Sequence, residues 1–346
     1  MNKHIARLSK LISAVLILCI AIEVINIFHK PKVNLEVNSF LVDEDSLPMI
    51  SAHRGGGLNN PENTMMAFRS AVVEYGAQVL ECDLYLTEDG YLVFNHDPYI
   101  DLTCNVNGDI TKEEVEQLCE DEANRHYIRD MTLEELRQDN CGYYFEDENG
   151  ERIHKDKDPE LNGLQITTVD QLFNEFYYNN PAHELLYILE IKEDGERGIQ
   201  ACRTLNEMIE MFNSFTPINA KQRVVVSSYH AEIEDELRLN YPELYRGAST
   251  DSATSFILTQ LLRVNFLDKS DFACLQIPTT YDVKGISINL ARKTIIRQAH
   301  RRGIAVQYWT VNDEDEMRML IELGCDCITT DDPALLQSVL QEYRNS

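Results

Sequence analysis

Short apolar runs alternate with amphipathic stretches from residue 47 onward, and this alternation restricts the fold more than any other feature of the chain. The apolar runs have the length of buried strands, and most are separated by stretches with helical periodicity. Strands that alternate with helices form a parallel sheet, and a count of eight favours a closed (β/α)8 TIM barrel over an open doubly wound sheet. The predicted strands are 49–53, 79–85, 185–192, 223–229, 245–248, 273–277, 305–311 and 326–329. The predicted helices are 63–75, 196–212, 231–239, 252–264, 291–301, 313–323 and 333–343.

One long segment, residues 98–165, interrupts the alternation after the second strand. It is polar and rich in Asp, Glu, Asn and Gly, with short helical patterns at 112–120 and 132–138. Thr132 and Glu135 have the spacing of a capping box. We expect an insertion on the side of the barrel where the strands end, because loops on that side carry function. A solvated decoration without a role would have the same composition.

The first thirty residues have the pattern of a membrane segment. Lys3, Arg7 and Lys10 precede an apolar stretch whose length is at the short end for a spanning helix. Basic residues ahead of the stretch favour a cytoplasmic N-terminus and a single-pass anchor in the cell membrane, with the main domain outside the cytoplasm. A cleaved signal peptide is the alternative. The predicted segments are a cytoplasmic end at 1–10, a transmembrane signal anchor at 11–28, a tether at 29–46 and the main domain at 47–346.

The formal charge of −27 restricts the partners of the chain. Such a surface repels nucleic acid, so we expect no nucleic-acid partner, and an anionic substrate would need positive charge at its own site. Most cysteines lie in apolar contexts and are expected in the core. Cys104, Cys119 and Cys141 lie in the polar insertion, where two of them would pair if the domain is extracytoplasmic.

Two carboxylates mark the site of chemistry. Glu81 and Asp83 are two residues apart in an apolar strand, so both side chains lie on one face, and burying both charges is costly without a cation. Glu190 ends another apolar run, and three oxygen ligands suit a hard cation, Ca²⁺ or Mg²⁺, better than zinc. His53 and His96 end neighbouring runs and titrate near neutral pH. Together these residues predict a metal-assisted acid–base site that acts on a phosphate.

The order of the polar motifs resembles that of the glycerophosphodiester phosphodiesterase family, over nearly the whole chain from about residue 46. The motifs are His53-Arg54-Gly55, Pro61-Glu62-Asn63-Thr64, Glu81-x-Asp83, His96-Asp97, Glu190-x-Lys192, Gln307-Tyr308-Trp309-Thr310-Val311-Asn312 and Thr329-Thr330-Asp331-Asp332-Pro333. The long acidic insertion departs from the family's usual short segment after the second histidine.

The resemblance implies a role for each matching residue. The histidines would be the general acid and base, the three carboxylates would bind a divalent metal, and two basic side chains would contact phosphate. An aromatic side chain would wall the substrate pocket, and a further acid would support the first histidine. The histidines are His53 and His96, and the metal-binding carboxylates are Glu81, Asp83 and Glu190. The basic side chains are Arg54 and Lys192, the aromatic side chain is Trp309, and the further acid is Glu62.

We therefore expect an enzyme that hydrolyses glycerophosphodiesters to an alcohol and glycerol 3-phosphate. A lysophospholipase D-like enzyme that acts on lysolipids and a phosphatidylinositol-specific phospholipase C-like enzyme are alternatives. A membrane-tethered binding domain without activity is the alternative from another class. A polar cup beside Trp309 would favour short diesters, and an apolar groove would favour lipids.

Overall fold

In the computed structural model, which describes residues 2–29, 37–178, 185–215 and 219–345, parallel strands form a barrel. Eight strands are each hydrogen-bonded to the next, and in spatial order they are 245–246, 224–227, 186–191, 79–86, 49–53, 327–330, 305–308 and 274–277. A parallel bridge between Gly247 and Cys274 brings the two end strands together and nearly closes the circle. The predicted TIM barrel is confirmed. The strands, in chain order, are β1 Met49–His53, β2 Val79–Leu86, β3 Leu92–Phe94, β4 Leu186–Ile191, β5 Val224–Ser227, β6 Tyr245–Arg246, β7 Cys274–Ile277, β8 Thr280–Val283, β9 Ile286–Asn289, β10 Ala305–Tyr308 and β11 Cys327–Thr330.

Helices cover the outside of the barrel and bury their apolar faces against it. Phe68, Phe212 and Phe256 from three of them are fully buried in one cluster with strand residues such as Leu80 and Val306. The seven predicted helices all occur, with ends that differ by a few residues from the prediction. The outer helices are Met65–Val73, Val169–Phe173, Gly195–Phe215, Ala231–Asn240, Thr250–Leu261, Lys293–His300, Glu314–Leu323 and Pro333–Asn345.

Two elements of the barrel region were absent from these predictions. The helix Val169–Phe173 is too short for a periodic signal, although its capping box between Thr168 and Gln171 is formed. The antiparallel hairpin of β8 and β9 follows β7 and turns at Lys284 and Gly285, which both have positive φ. Its strands have only four residues each, the lower limit for a strand pattern, and their side chains are mostly exposed.

The insertion packs its own small cores against the barrel. Ile100, Ile128 and Leu136 are buried with Tyr85 of β2 and Val93 of β3, which pairs antiparallel with β2. The short helices within it are Lys112–Leu118, Leu133–Leu136 and Pro159–Asn162. The capping box of Thr132 and Glu135 is formed, and the disulfide joins Cys104 to Cys141 and leaves Cys119 free.

The N-terminal helix, Asn2–Phe28, contains a stretch, Arg7–Asn26, with a mean hydropathy of 2.4. It is long and apolar enough to cross a membrane, and a signal sequence would meet the same criterion. Of the predicted tether, residues 30–36 lie outside the described residues.

Residues 37–46 are not the structureless tether that we expected. Phe40 is fully buried among residues at the start of the barrel strands, and Asn38 Nδ2 donates hydrogen bonds to the carbonyl oxygens of Ala273 and Gly303. The segment closes the end of the barrel opposite to the carboxyl ends of the strands. The apolar run here, Phe40 to Val42, is only three residues long and carries no periodic signal, so the sequence did not reveal this contact.

Candidate active site

A cavity of about 400 Å³ opens at the carboxyl ends of the barrel strands. Eight of the nine predicted site residues line it, from β1, β2, β4 and the segments that follow β3 and β10. The ninth, Glu62, does not line the cavity but forms an ion pair with Arg54, and its Oε2 atom lies 3.2 Å from Arg54 Nη1. The predicted residues therefore meet in one place although they are far apart in the chain, with His53 and Trp309 as the extremes.

Three carboxylates form the floor of the cavity. Asp83 and Glu190 are direct neighbours in the register of β2 and β4, and Glu81 lies two residues before Asp83 on the same face. Their nearest oxygens all lie within 4.8 Å of one another. Burial, followed by the charge of Asp83, raises the pKa of Glu81, and burial is also the main cause of a raised pKa at Glu190. Because several buried negative charges repel one another, this arrangement favours a bound cation.

Two basic side chains flank the carboxylates. Lys192 Nζ lies 3.2 Å from Asp83 Oδ1 and 3.7 Å from Glu190 Oε2, and it sits over the ring of Tyr229. Arg54 Nε lies 3.2 Å from Asp83 Oδ2 without a favourable hydrogen-bond angle, so this contact is ionic. Arg54 follows β1 with a φ of 53°, an uncommon value for a residue other than glycine, and this turn directs its side chain toward Asp83.

His53, the last residue of β1, is fixed by a carboxylate that follows β11. Its Nδ1 atom lies 2.6 Å from Asp331 Oδ1, and its Nε2 atom lies 3.8 Å from Glu81 Oε2. Burial alone would lower the pKa of His53, but the hydrogen bond to Asp331 and the charge of Glu81 together outweigh it and raise the pKa. Asn312 Nδ2 donates to the other oxygen of Asp331 at 2.8 Å, which holds that carboxylate in place.

His96 reaches the cavity from the segment after β3 and is more exposed than His53, with 40% of its side chain accessible. Its Nδ1 atom lies 3.1 Å from Asp97 Oδ1, and this hydrogen bond is the main cause of a lowered pKa at Asp97. Asn95 Nδ2 donates to the carbonyl oxygens of Asp97 and Tyr99 and so fixes the turn. The two histidines thus enter from different strands and have different exposure.

The rim and wall of the cavity are polar and aromatic. Trp309, which follows β10, is 47% exposed at the mouth. The remaining wall contains Ser228, Thr250 and Gln276, and its aliphatic lining residues, within the described ranges, are alanines.

Several of these lining and supporting residues escaped the sequence prediction. Asp331 lies in the quoted Thr-Asp-Asp-Pro motif, but no role was assigned to it. Ser228 and Gln276 form no motif, and only their position at the ends of β5 and β7 in a barrel would have pointed to them.

A family model for the glycerophosphoryl diester phosphodiesterase family matches residues 53–335. The chain belongs to this family. The match begins at His53 and includes all the predicted site residues. The expected phosphodiesterase of this family is thereby confirmed.

Individual relatives agree over most of their length. A glycerophosphodiester phosphodiesterase of Caldanaerobacter subterraneus subsp. tengcongensis is 26% identical over 85% of this chain and 98% of its own. A lysophospholipase D of Mus musculus is 24% identical over 85% of this chain and 82% of its own.

Solved structures share the fold. A phosphodiesterase of Oleispira antarctica in complex with the product sn-glycerol-3-phosphate has a TM-score of 0.60 at 21% identity and covers 85% of this chain and 97% of its own. A glycerophosphodiester phosphodiesterase of Agrobacterium tumefaciens has a TM-score of 0.59 at 18% identity, over 84% of this chain and 100% of its own.

Proposed function

We propose that this phosphodiesterase is membrane-anchored and metal-dependent, and that it hydrolyses glycerophosphodiesters to an alcohol and glycerol 3-phosphate. One observation carries the proposal: a single cavity contains two buried carboxylates and a third that is partly buried, two basic side chains, and two histidines of unequal exposure. The names of the family and of the relatives support the substrate class.

Glu81, Asp83 and Glu190 would hold a divalent cation. They supply only oxygen ligands, which Ca²⁺ and Mg²⁺ prefer, and their mutual repulsion is relieved when a cation binds. The bound ion would supply positive charge to the non-bridging oxygens of the phosphate. Arg54 and Lys192 would add to that charge from two sides of the carboxylates.

His53 and His96 would exchange protons with the attacking and leaving oxygens. Because Asp331 accepts the proton on Nδ1 of His53, the Nε2 atom of this ring is left to face the cavity. A displacement at phosphorus needs one group that takes a proton from the nucleophile and one that gives a proton to the departing alcohol. One imidazole at the end of β1 and a second in the segment after β3 can divide these two roles between them.

The lining favours a short, polar substrate over a lipid. Ser228, Thr250 and Gln276 offer hydrogen bonds to a glycerol or to a small headgroup, and Trp309 offers a flat face. A lysophospholipase D-like activity is the second candidate, since one relative carries that name. The aliphatic side chains of the described lining are alanines, however, so an acyl chain would find no long apolar groove there.

The experiment is a substrate panel with the purified full-length chain. We expect glycerophosphocholine and glycerophosphoglycerol to be cleaved faster than lysophosphatidylcholine, and EDTA to abolish all activity. His96→Ala should lower turnover at least about 100-fold, the usual lower limit for a lost acid–base group. His126→Ala is the matched control, because His126 also contacts an aspartate but lies in the insertion. Full activity in EDTA, or in His96→Ala, would overturn the proposal.

The segment assignment is part of the same proposal. Residues 11–28 would anchor the chain in the cell membrane, residues 1–10 would remain in the cytoplasm, and the barrel would lie outside. The exposed apolar face of the N-terminal helix supports an anchor. Edman sequencing of the protein from membranes would begin at Met1 or its neighbour if the helix is retained, and beyond residue 28 if the helix is cleaved.

A further inference from the structure

A basic groove lies where the N-terminal helix meets the barrel. Arg263, Arg292, Arg297 and Arg301 line it, and all four are exposed. Among the described residues, the one carboxylate in the lining is Glu23, whose Oε1 atom lies 2.7 Å from Arg263 Nη1. Arg292, Arg297 and Arg301 form no ion pair with a carboxylate in the part of the chain that the structure describes. Three uncompensated arginines in one groove are unusual in a chain with a formal charge of −27.

Exposed leucines continue this surface. Leu258, Leu261, Leu262 and Leu267 lie at the end of the helix Thr250–Leu261 and in the turn that follows it, and they are 37% to 69% exposed. The N-terminal helix lies alongside that turn. Leucines beside arginines form the pattern of a surface that rests in a membrane interface, with apolar groups below and cations at the level of the headgroups.

The contacts of the N-terminal helix place this groove at its outer end. Asn26 Nδ2 donates to the carbonyl oxygen of Arg263, and Arg301 Nη2 donates to the carbonyl oxygen of His29 at 2.7 Å. The apolar span ends at Asn26. With a helical rise of about 1.5 Å per residue, Glu23 and His29 lie roughly 5 Å on either side of that point. The arginines that contact these two residues therefore lie at the depth of lipid phosphates.

The surface is centred toward the end of the barrel opposite to the candidate active site, although Arg292, at the start of the helix Lys293–His300, extends it toward the other end. Arg263 and Arg301 precede β7 and β10, whereas His53 ends β1 and Trp309 follows β10. Between the two ends, β2 alone spans roughly 25 Å. An ion pair between the buried side chains of Arg302 and Asp268 joins the two loops at the groove end of the barrel. This ion pair holds the surface in a fixed position on the barrel.

We propose that the surface formed by these four arginines and four leucines binds the anionic lipid headgroups around the N-terminal helix. The remaining, acidic faces of the barrel are repelled by such headgroups, so binding through this surface turns the active-site mouth away from the bilayer. The enzyme then draws its substrate from water. The inference rests on the proposed anchor but not on the proposed chemistry.

The single tryptophan of the chain allows a direct test, because Trp309 lies at the mouth of the cavity. The full chain is placed in nanodiscs of phosphatidylcholine, with or without phosphatidylglycerol, that carry a nitroxide quencher near the headgroups. Trp309 should not be quenched in either disc. In a second protein, Leu262→Trp with Trp309→Phe, we expect quenching to rise about twofold when about 30% phosphatidylglycerol is present, and to fall again in high salt.

Charge reversal supplies the matched comparison. Arg292→Glu, Arg297→Glu and Arg301→Glu together should abolish the rise in quenching of the tryptophan introduced at position 262. Lys112→Glu, Arg129→Glu and Lys157→Glu make the same change in net charge on exposed residues of the insertion and should leave the rise intact.

Quenching of Trp309 would overturn the proposed orientation. Quenching at position 262 that ignores phosphatidylglycerol, salt and the arginine reversals would overturn the lipid-binding surface. The salt arm needs no charge reversal, so it holds even if the arginine variant folds poorly. Inactivity of the native enzyme, together with the expected quenching at position 262, would contradict the proposed chemistry and leave this inference standing.

Discussion

Asp331→Asn tests the proposed role of His53 with a change of one atom. Asp331 Oδ1 lies 2.6 Å from His53 Nδ1, and its Oδ2 accepts from Asn312 Nδ2 at 2.8 Å. Asn312 cannot turn over, because its Oδ1 atom already accepts from Thr330 Oγ1 and from the backbone N–H of Asp331. The oxygen of an asparagine at 331 would therefore stay toward Asn312, and its NH2 group would face His53.

This reversal has a calculable cost. An NH2 donor opposite Nδ1 places the ring proton on Nε2, which is the wrong tautomer for a base that faces the cavity. The hydrogen bond lost is one to a charged group, which contributes about 1.5 to 3 kcal/mol. If the whole contribution is needed to orient the reactive ring, turnover falls about 10-fold to 150-fold, since about 1.4 kcal/mol corresponds to a factor of ten.

The pH profile supplies a second readout. The hydrogen bond to Asp331 raises the pKa of His53, so its loss lowers that pKa. The limb of the pH–rate profile that reports His53 should then move to lower pH, whether the ring acts as base or as acid. The assay is the release of glycerol 3-phosphate from glycerophosphocholine, with kcat and KM measured across the pH range.

Asp332→Asn is the matched control. It removes the same charge one residue away, where Asp332 Oδ1 caps the last helix through the N–H of Leu335 and accepts from Asn59. Asparagine is also a good N-cap, so both stability and turnover should change little. Turnover of Asp331→Asn within twofold of the native enzyme, together with an unmoved pH profile, would refute this account of His53.

The remaining predictions concern stability and covalent structure. In metal-free protein the pKa of Glu81 is raised to about 8, so the folded state holds more protons than the unfolded state and the melting temperature should fall between about pH 4.5 and pH 8. Ca²⁺ or Mg²⁺ should raise the melting temperature more at pH 8 than at pH 5. A melting temperature of the metal-free protein that rises over this range would contradict the acidic cluster. Phe40→Ala should lower the free energy of unfolding by about 3 to 5 kcal/mol with kcat unchanged, whereas Val37→Ala, at an exposed residue, should lower it little. Equal losses in the two variants would contradict the burial of Phe40 at the end of the barrel. All nine cysteines lie in the described ranges, and two of them form the disulfide. A thiol titration of the denatured protein should therefore find seven free thiols before reduction and nine after it. Nine free thiols before reduction would exclude the disulfide.

The sequence predicted the barrel because eight short apolar runs alternate with helical stretches, and both signals are local. It predicted the paired carboxylates because Glu81 and Asp83, two residues apart in a strand, must lie on the same face of that strand. The partner of His53 was not predicted, since a contact between residues 53 and 331 depends on the closure of β1 against β11. The hairpin of β8 and β9 and the contacts of Phe40 were missed for a related reason, because the apolar pattern of each is very short.

In the insertion, some features follow from neighbouring residues in the sequence and others depend on contacts between distant residues. Its capping box at Thr132 needs only three residues and was predicted from them. The choice of Cys141, and not Cys119, as the partner of Cys104 depends on the packing of Cys104 and Cys141 together in one small core, while Cys119 lies in another. No spacing in the sequence carries that distinction.

The central claim is that carboxylates from β2 and β4 hold one ion beside two imidazoles. Calorimetric titration of metal-stripped enzyme with Ca²⁺ and with Mg²⁺, followed by an activity assay on the same samples, tests it most directly. We predict one ion per chain, with activity that rises in proportion to occupancy, and the loss of both in Glu190→Gln but not in Glu193→Gln, whose carboxylate instead binds Arg197 and the N–H of Leu86. Full activity in the stripped enzyme, or unchanged binding in Glu190→Gln, would contradict the claim.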